Sequence, residues 1–419
     1  MDIKINPSKL CGEVIIPPSK SFAHRAIICA ALTDGKSVIK NIELSDDIKA
    51  TLNAMKSLGI EYKICKNNIE INGINDRKKY NADKKIIVDC NESGSTLRFV
   101  IPIVASLGYK CRFEMRGNLG KRPLDIYYNI FERNNIIYEK GENYLEIDGS
   151  LNAGEYEIPG NISSQFITGM IFALSMKKED SIIKIVNNIE SKSYIDITLK
   201  CLKDFGISIE NNEYKTFCIK GNQKYRAREY KVEGDFSQGA FFLCANAIGN
   251  DINVLGLRDD SVQGDKVVVD ILRRMKKGRL KSTTIDASDC PDIIPILSVC
   301  AAFADGNTNI INAKRLRIKE CDRLHAIKEE LSKLGAQIEE KEDSLIIKGS
   351  KNNKLYGKCE VWSHKDHRIC MMLSIASTIC EKEIIIKDIE CVSKSYPRFF
   401  EDFKKLGAKF EVFGGDDFE

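Results

Sequence analysis

One hydrophobic pattern recurs six times along the chain. A helix-period segment ends in Leu-Gly or a degraded form of it, an alternating strand follows, and a turn closes the unit. The copies centre on Leu58-Gly59, Asn134-Asn135, Phe205-Gly206, Met275-Lys276, Leu334-Gly335 and Leu406-Gly407. Four of the five intervals between copies are 70 to 76 residues and the one from Met275 to Leu334 is 59, which marks a repeat architecture. In Ala50 to Glu61 and again in His325 to Glu339, apolar residues fall at helical spacing. Gly then sits where a helix C-cap requires a left-handed backbone, and a strand begins. The pattern predicts six copies of one α/β unit.

Each unit carries a second, almost wholly apolar helical segment, introduced by a short polar cluster. The clusters are Ser19 to Arg25, Glu92 to Arg98, Asn161 to Gln165, Gly234 to Gln238, Asp289 to Asp292 and His364 to Arg368. A helix apolar on all sides is a buried one. Ser, Asp and Asn at these positions are expected N-caps, and for Gly234-Asp235 or Asp366 capping accounts for the residue as well as any site would. Capping does not account for Lys20, Arg25, Arg98 and Arg368. A helix N-terminus carries partial positive charge and free N–H groups, so cations gathered there point to phosphate or carboxylate ligands.

Length changes the picture first. At 419 residues the chain exceeds one ordinary core, and six units split most simply into two domains of three. The 64 basic and 60 acidic residues leave a net charge of +4 with no basic arm, which argues against a nucleic-acid partner. Fifteen cysteines without a C-x-x-C pair, among them Cys29, Cys244, Cys300, Cys370 and Cys380 in apolar segments, read as reduced core thiols. The opening residues read as a strand rather than a signal peptide, and the longest apolar stretch, Ile293 to Ala304, is too short to span a membrane. A cytoplasmic protein with no membrane partner is expected.

Three segments break the repeat and concentrate charge: Arg116 to Pro123, Arg315 to Arg323 and Ser393 to Arg398. The second packs cations and acids just before an amphipathic helix without helical spacing, as a built site would. Asp292, after a proline at a helix start, is either a cap or, beside cations and anions, a general base. The four histidines show no metal-ligand spacing, so no metal is expected, and His367 reads as structural. Nucleotide-binding glycine loops and the G-x-S-x-G elbow are absent from the sequence.

Taken together, nine motifs in order resemble the EPSP synthase (3-phosphoshikimate 1-carboxyvinyltransferase) family of enolpyruvyl transferases. They are Ser19-Lys20-Ser21 with Arg25, Gly94 to Arg98, Arg122-Pro123, Ser163 to Phe166, Ser191 to Tyr194, Pro291-Asp292, Lys319 to Arg323, Asp366-His367-Arg368 and Lys394 to Pro397. The resemblance implies an α/β fold of two similar domains. Each would hold three repeated βαβ-containing units with buried parallel helices, and the active site would lie in the interdomain cleft. Residues 1–18 with 232–419 would form a discontinuous domain holding the C-terminal three repeats, and 19–231 an inserted domain holding the N-terminal three.

The implied reaction joins phosphoenolpyruvate to shikimate 3-phosphate, with no cofactor and in a monomer. Together the substrates carry roughly five to six negative charges, so many fixed cations are needed. By resemblance, Lys20, Ser21, Arg25, Ser163, Ser164, Gln165, Ser191, Asp292, Arg315 and Lys319 would hold shikimate 3-phosphate. Lys20, Gly94, Arg122, Gln165, Arg323, Arg368 and Lys394 would hold phosphoenolpyruvate. Asp292, Glu320 and Lys20 would be catalytic. Three positions depart from the family's common pattern: Glu92 in place of Asn, Ser193 in place of Pro, and Arg315 in place of a neutral polar residue. A sister reaction on UDP-N-acetylglucosamine goes with a reactive Cys before Arg-Pro, where this chain has Gly117 to Lys121. Cys111, six residues earlier in a strand-like stretch, reads as core.

Overall fold

The computed structural model describes residues 1–74, 85–189, 191–277, 279–350 and 354–414. The chain divides into two compact units, Pro18–Glu233 and Met1–Pro17 with Gly234–Glu419.

In Pro18–Glu233 a strand, a buried helix and a second strand make a parallel crossover, after which an amphipathic helix leads into an antiparallel hairpin. This plan gives three four-stranded sheets. In the second, Ile86–Asp89 runs parallel to Cys111–Glu114, and Tyr144–Asp148 then Ile137–Lys140 extend it antiparallel. Glu155–Pro159, Ser181–Val186, Thr216–Ile219 and Ile209–Asn212 repeat the order. The remaining sheet takes its parallel edge from far along the chain, with Glu229–Lys231 beside Lys36–Lys40.

The three buried helices are Lys20–Ala31, Gly94–Leu107 and Ser164–Leu174. Gly94–Leu107 and Ser164–Leu174 pack against each other, and Gly169 makes that approach possible: a Cβ there would lie 2.3 Å from the Arg98 carbonyl oxygen. Phe99, fully buried, meets Phe172 edge-on at 5.8 Å between centroids.

The other unit repeats the plan with one reduction. Thr284–Asp286, Asn307–Ile311, Leu345–Lys348 and Gln337–Glu340 form a complete sheet. In another, the first strand of the chain, Asp2–Asn6, lies between Ile384–Lys387 and Lys409–Phe413, with Cys359–Trp362 parallel to Ile384–Lys387. Among the described residues the reduced copy keeps only the parallel pair Cys11–Ile15 and Asp251–Leu255 plus the short ladder of Lys276–Lys277 on Arg279–Leu280. The buried helices of this unit, one per repeat, are Phe236–Ala247, Ile294–Phe303 and His367–Ala376.

The helix stops follow the expected handedness. Gly59, Gly206, Gly335 and Gly407 have φ of 85°, 86°, 97° and 100°, and Asn135 stands at 53°. Only at Met275-Lys276, the reduced copy, is the residue after the helix not left-handed: Lys276 has φ −85° and runs directly into its strand. Each unit has its own apolar core. Among the described residues no helix is long and apolar enough to cross a membrane. The cysteines are free thiols, and Cys29, Cys244, Cys300, Cys370 and Cys380 are buried.

Candidate active site

The polar clusters do open the buried helices, and in Pro18–Glu233 three such starts build one set of groups. Ser93 caps Gly94–Leu107 by accepting from the Thr96 amide at 3.2 Å, and Ser163 caps Ser164–Leu174 through Gln165 N–H at 3.3 Å. Ser19 precedes Lys20–Ala31 without a side-chain cap. That leaves its first amides to other acceptors, the condition under which a helix start takes an anion.

Lys20 Nζ donates to Asp47 Oδ2 at 2.7 Å. Arg25 lies inside the unit, donating to Thr198 Oγ1 at 2.7 Å and to the carbonyls of Ser21 and Tyr194 at 2.8 and 3.0 Å. Burial lowers its pKa to about 10, so the guanidinium stays charged at neutral pH. Its charge also sits 5.0 Å from the Phe99 ring centroid. Ser191 is buried in a left-handed conformation, φ 56°, and its carbonyl accepts from the Tyr194 amide.

Gly94 begins its helix against two arginines. A Cβ there would lie 2.8 Å from Arg122 Nη1, so a side chain at this position would push the Arg122 guanidinium aside, while Arg98 Nη1 at 3.5 Å would be in ordinary contact. Gln165 joins the same group: its Oε1 accepts from Arg98 at 2.8 Å and its Nε2 donates to Ser95 at 2.9 Å. Beneath them a buried hydroxyl chain ties three helices together. His24 meets Thr51, Thr51 meets Thr96, each at 2.7 Å, and Thr96 donates to Ser93 at 2.8 Å. Burial pulls the His24 pKa down to about 3, so it links these helices as a neutral ring.

The second set lies in the other unit and centres on Asp292, in the 3-10 turn Pro291–Ile293. Its carboxylate takes Arg323 Nη1 at 2.9 Å, Lys319 Nζ at 3.2 Å and Arg368 Nη2 at 3.2 Å, while Arg368 Nη1 holds the Asp292 carbonyl at 3.0 Å. These partners are cations, which decides between a cap and a member of a charged site. Burial pushes the Asp292 pKa up, but Arg368, Lys319 and Arg323 together outweigh it and hold the group well below the usual carboxylate range.

Arg323, 1 % exposed, spans three acids. It donates to Glu320 Oε2 and to Asp366 Oδ2, both at 2.7 Å, besides Asp292. Burial lowers its proton affinity, yet the carboxylates of Asp366, Glu320 and Asp292 more than reverse this. Lys319 goes the other way: burial, aided by the positive charges of Arg323 and Arg315, brings its pKa to about 8 against the pull of Asp292. Lys394 is buried at the end of the 3-10 segment Ile389–Lys394, next to Ser395, which accepts from Gln238 at 3.1 Å.

Of the acids that position these cations, sequence reading did not single out Asp47 and left Asp366 between a cap and part of a site. Asp47 and Asp366 sit at helix starts, where an acid is ordinarily taken for a cap. Asp366 does cap, accepting the Arg368 amide at 2.8 Å, and the same buried carboxylate also binds Arg323. Arg98, read as part of a motif, orients Gln165. Glu329, Glu330 and His364 come close enough to share an ion. Lys333 already binds both glutamates there, at 3.1 and 2.8 Å.

The family description EPSP synthase (3-phosphoshikimate 1-carboxyvinyltransferase) matches residues 5–403. A 3-phosphoshikimate 1-carboxyvinyltransferase of Clostridioides difficile is 58% identical over 98% of both chains, and one of Clostridium beijerinckii is 54% identical over the same shares. Among solved structures, an EPSP synthase from Acinetobacter baumannii superposes with a TM-score of 0.83 at 23% identity, covering 99% of this chain and 100% of that one. The enolpyruvyl transferase NikO from Streptomyces tendae gives 0.77 at 15% identity over 98% of each. The fold is thus that of the enolpyruvyl transferases, and the chain belongs to the EPSP synthase family.

Proposed function

We propose that this chain runs its family's reaction with the residues described above, in the following roles. The reaction transfers the enolpyruvyl group of phosphoenolpyruvate to the 5-hydroxyl of shikimate 3-phosphate in the shikimate pathway to chorismate and the aromatic amino acids. The hydroxyl adds to the enol carbon, the neighbouring methylene carbon gains a proton, and the resulting tetrahedral intermediate loses phosphate and a proton to give 5-enolpyruvylshikimate 3-phosphate.

Lys20, Ser21, Arg25, Ser163, Ser164, Gln165, Ser191, Asp292, Arg315 and Lys319 hold shikimate 3-phosphate. Lys20, Gly94, Arg122, Gln165, Arg323, Arg368 and Lys394 hold phosphoenolpyruvate, for which planar Arg forks and close backbone approach at Gly94 suit a small carboxylated phosphate. Asp292 takes the proton of the 5-hydroxyl, and Glu320 with Lys20 carries the proton to and from the methylene carbon.

The observation that carries this assignment is the triple cation contact of Asp292. In the free protein those cations make the carboxylate a weak base. They are also the groups assigned to the ligand anions, so as the ligands claim them the carboxylate becomes more basic at the moment it is needed. We place the protein in the cytoplasm, as a monomer without a nucleic-acid partner.

The test is phosphate release from phosphoenolpyruvate, with shikimate 3-phosphate and UDP-N-acetylglucosamine supplied in turn. Release is expected only with the shikimate ester, and release driven by the nucleotide sugar would assign the sister reaction instead. Cys111 offers no nucleophile for that alternative: it is buried in its strand, and burial pushes its thiol up to about 12.

Lys319 sets a pH limit. Its pKa is depressed to about 8 in the free protein, and a neutral amine cannot pair with the ester's anion. The value of kcat/KM for shikimate 3-phosphate is therefore expected to fall as pH rises through about 8. Lys319→Arg, charged across this range, moves the fall to higher pH; an unchanged profile in that variant would remove Lys319 from the ester's binding set.

A further inference from the structure

One buried acid beside the Asp292 cluster has no part in the reaction described above. Asp265 lies in the 3-10 turn Gly264–Lys266 and is 4% exposed. Its Oδ2 accepts the Ser237 hydroxyl, and its buried Oδ1 has no hydrogen-bond partner among the described residues. A buried carboxylate ordinarily collects several donors, because its lone pairs have lost water.

The nearby donors are committed elsewhere. Asp235 takes the Ser237 and Gln238 amides at 2.8 and 3.2 Å, while Gln263 takes the Phe236 amide at 3.0 Å and donates to the Gly234 carbonyl at 2.7 Å. The charges acting most strongly on Asp265 among the described residues are Asp292 from its turn, Arg368 from His367–Ala376 and Asp235 from the start of Phe236–Ala247, with the Cys290 thiol also in range. Lys266, next in sequence, turns its ammonium to the Asp259 carbonyl. Arg368, the cation with the largest effect on Asp265, is itself engaged with Asp292.

We propose that Asp265 is a positioning residue that takes up a proton as phosphoenolpyruvate binds at Arg368, making ligand binding and proton uptake one event. The inference rests on the assignment of Arg368 to that ligand. An anion at Arg368 adds negative charge near Asp265 and draws off the cation that most favours its ionised form. Burial and Asp292 already raise the Asp265 pKa to about 7, against Arg368 and Ser237, so little further is needed for it to hold the proton. Below that pH the carboxyl is neutral and the ligand meets no repulsion. Above it, binding must bring a proton in, and affinity falls as pH rises.

Asp265→Asn keeps an oxygen for Ser237 and cannot ionise. Its KM for phosphoenolpyruvate is expected to match that of the natural chain at pH 6 and to be about three- to tenfold lower at pH 8.5. Parallel pH profiles would overturn the proposal, as would a KM raised equally at every pH, the mark of a purely structural residue. Ser237→Ala removes the hydroxyl that favours the ionised form, and is expected to move the rise in KM to higher pH; a shift to lower pH would count against the mechanism.

The natural chain supplies an arm that needs no variant. Calorimetry at pH 7.5 in buffers of different ionisation enthalpy should show more protons taken up on phosphoenolpyruvate binding than the ligand's own titration provides. Uptake accounted for by the ligand alone would overturn it. Arg368→Lys separates this inference from the assignment beneath it. If KM for phosphoenolpyruvate ignores that substitution, the ligand assignment fails; if KM rises while the Asp265 arms are flat, only the proton coupling fails.

Discussion

Asp292→Asn is expected to lower kcat by about 10²- to 10⁴-fold, the range associated with loss of a positioned general base, while KM for either substrate stays within a few-fold. The substitution keeps the shape of the side chain and an oxygen for Arg323 at the position that now lies 2.9 Å away. What it removes is the negative charge against Lys319, Arg323 and Arg368. A site relieved of an internal anion is more positive, and the substrates are polyanions, so binding has no electrostatic reason to weaken. Steady-state kcat and KM, with a melting curve to show that the variant folds, provide the check. If kcat and binding fell equally, Asp292 would be a structural tie among cations and the proton would leave by another route.

The helix stops were legible because one stereochemical fact produces them: a chain that leaves a helix through a left-handed residue selects Gly or Asn. The same rule marked Met275-Lys276 as degraded, and there the fold shortens the unit to a small ladder. Sheet membership was far less legible. Asp2–Asn6 pairs with strands that begin at Ile384 and Lys409, and Glu229–Lys231 with Lys36–Lys40. Local alternation cannot reveal a partner that distant, and the placement of the first strand came from resemblance rather than pattern.

The charged groups divide in the same way. Lys20, Arg25 and Arg368 stood out because a cation at a helix start conflicts with the helix's own charge. Their acidic partners did not, since Asp47 and Asp366 agree with that charge and carry no local signal of a second task. Asp292 was ambiguous between cap and site until Lys319, Arg323 and Arg368, which lie 27, 31 and 76 positions away in sequence, were seen on its oxygens. Asp265 had no signal at all. Nothing in Gln263-Gly264-Asp265 shows that its carboxyl will be enclosed beside another acid, because the enclosure is made by turns and helices elsewhere in the chain.

Arg323→Met is expected to cost the unit that contains it about 3–5 kcal/mol, the range for removing one member of a buried ion pair. At roughly 2–4 °C per kcal/mol for a body of this size, the melting point drops by about 6–20 °C. The side chain is buried, and so is its Asp366 partner at 2.7 Å. Methionine fills much of the volume but donates nothing, leaving Asp366, Asp292 and Glu320 without their shared cation.

The pH dependence distinguishes this from a simple packing defect. In the natural chain Asp292 ionises well below its usual 3.8, so the stability it contributes is present above about that pH and is lost as pH falls through the depressed value. Without Arg323 the buried Asp292 carboxyl binds a proton more readily, and acid relieves its unpaired charge. The gap in melting point is therefore expected to be widest near pH 7 and to narrow toward pH 5. Melting curves for both chains at the two pH values test this. A gap that held constant would assign the loss to packing, and one that widened in acid would mean that Arg323 does not help to hold Asp292 ionised.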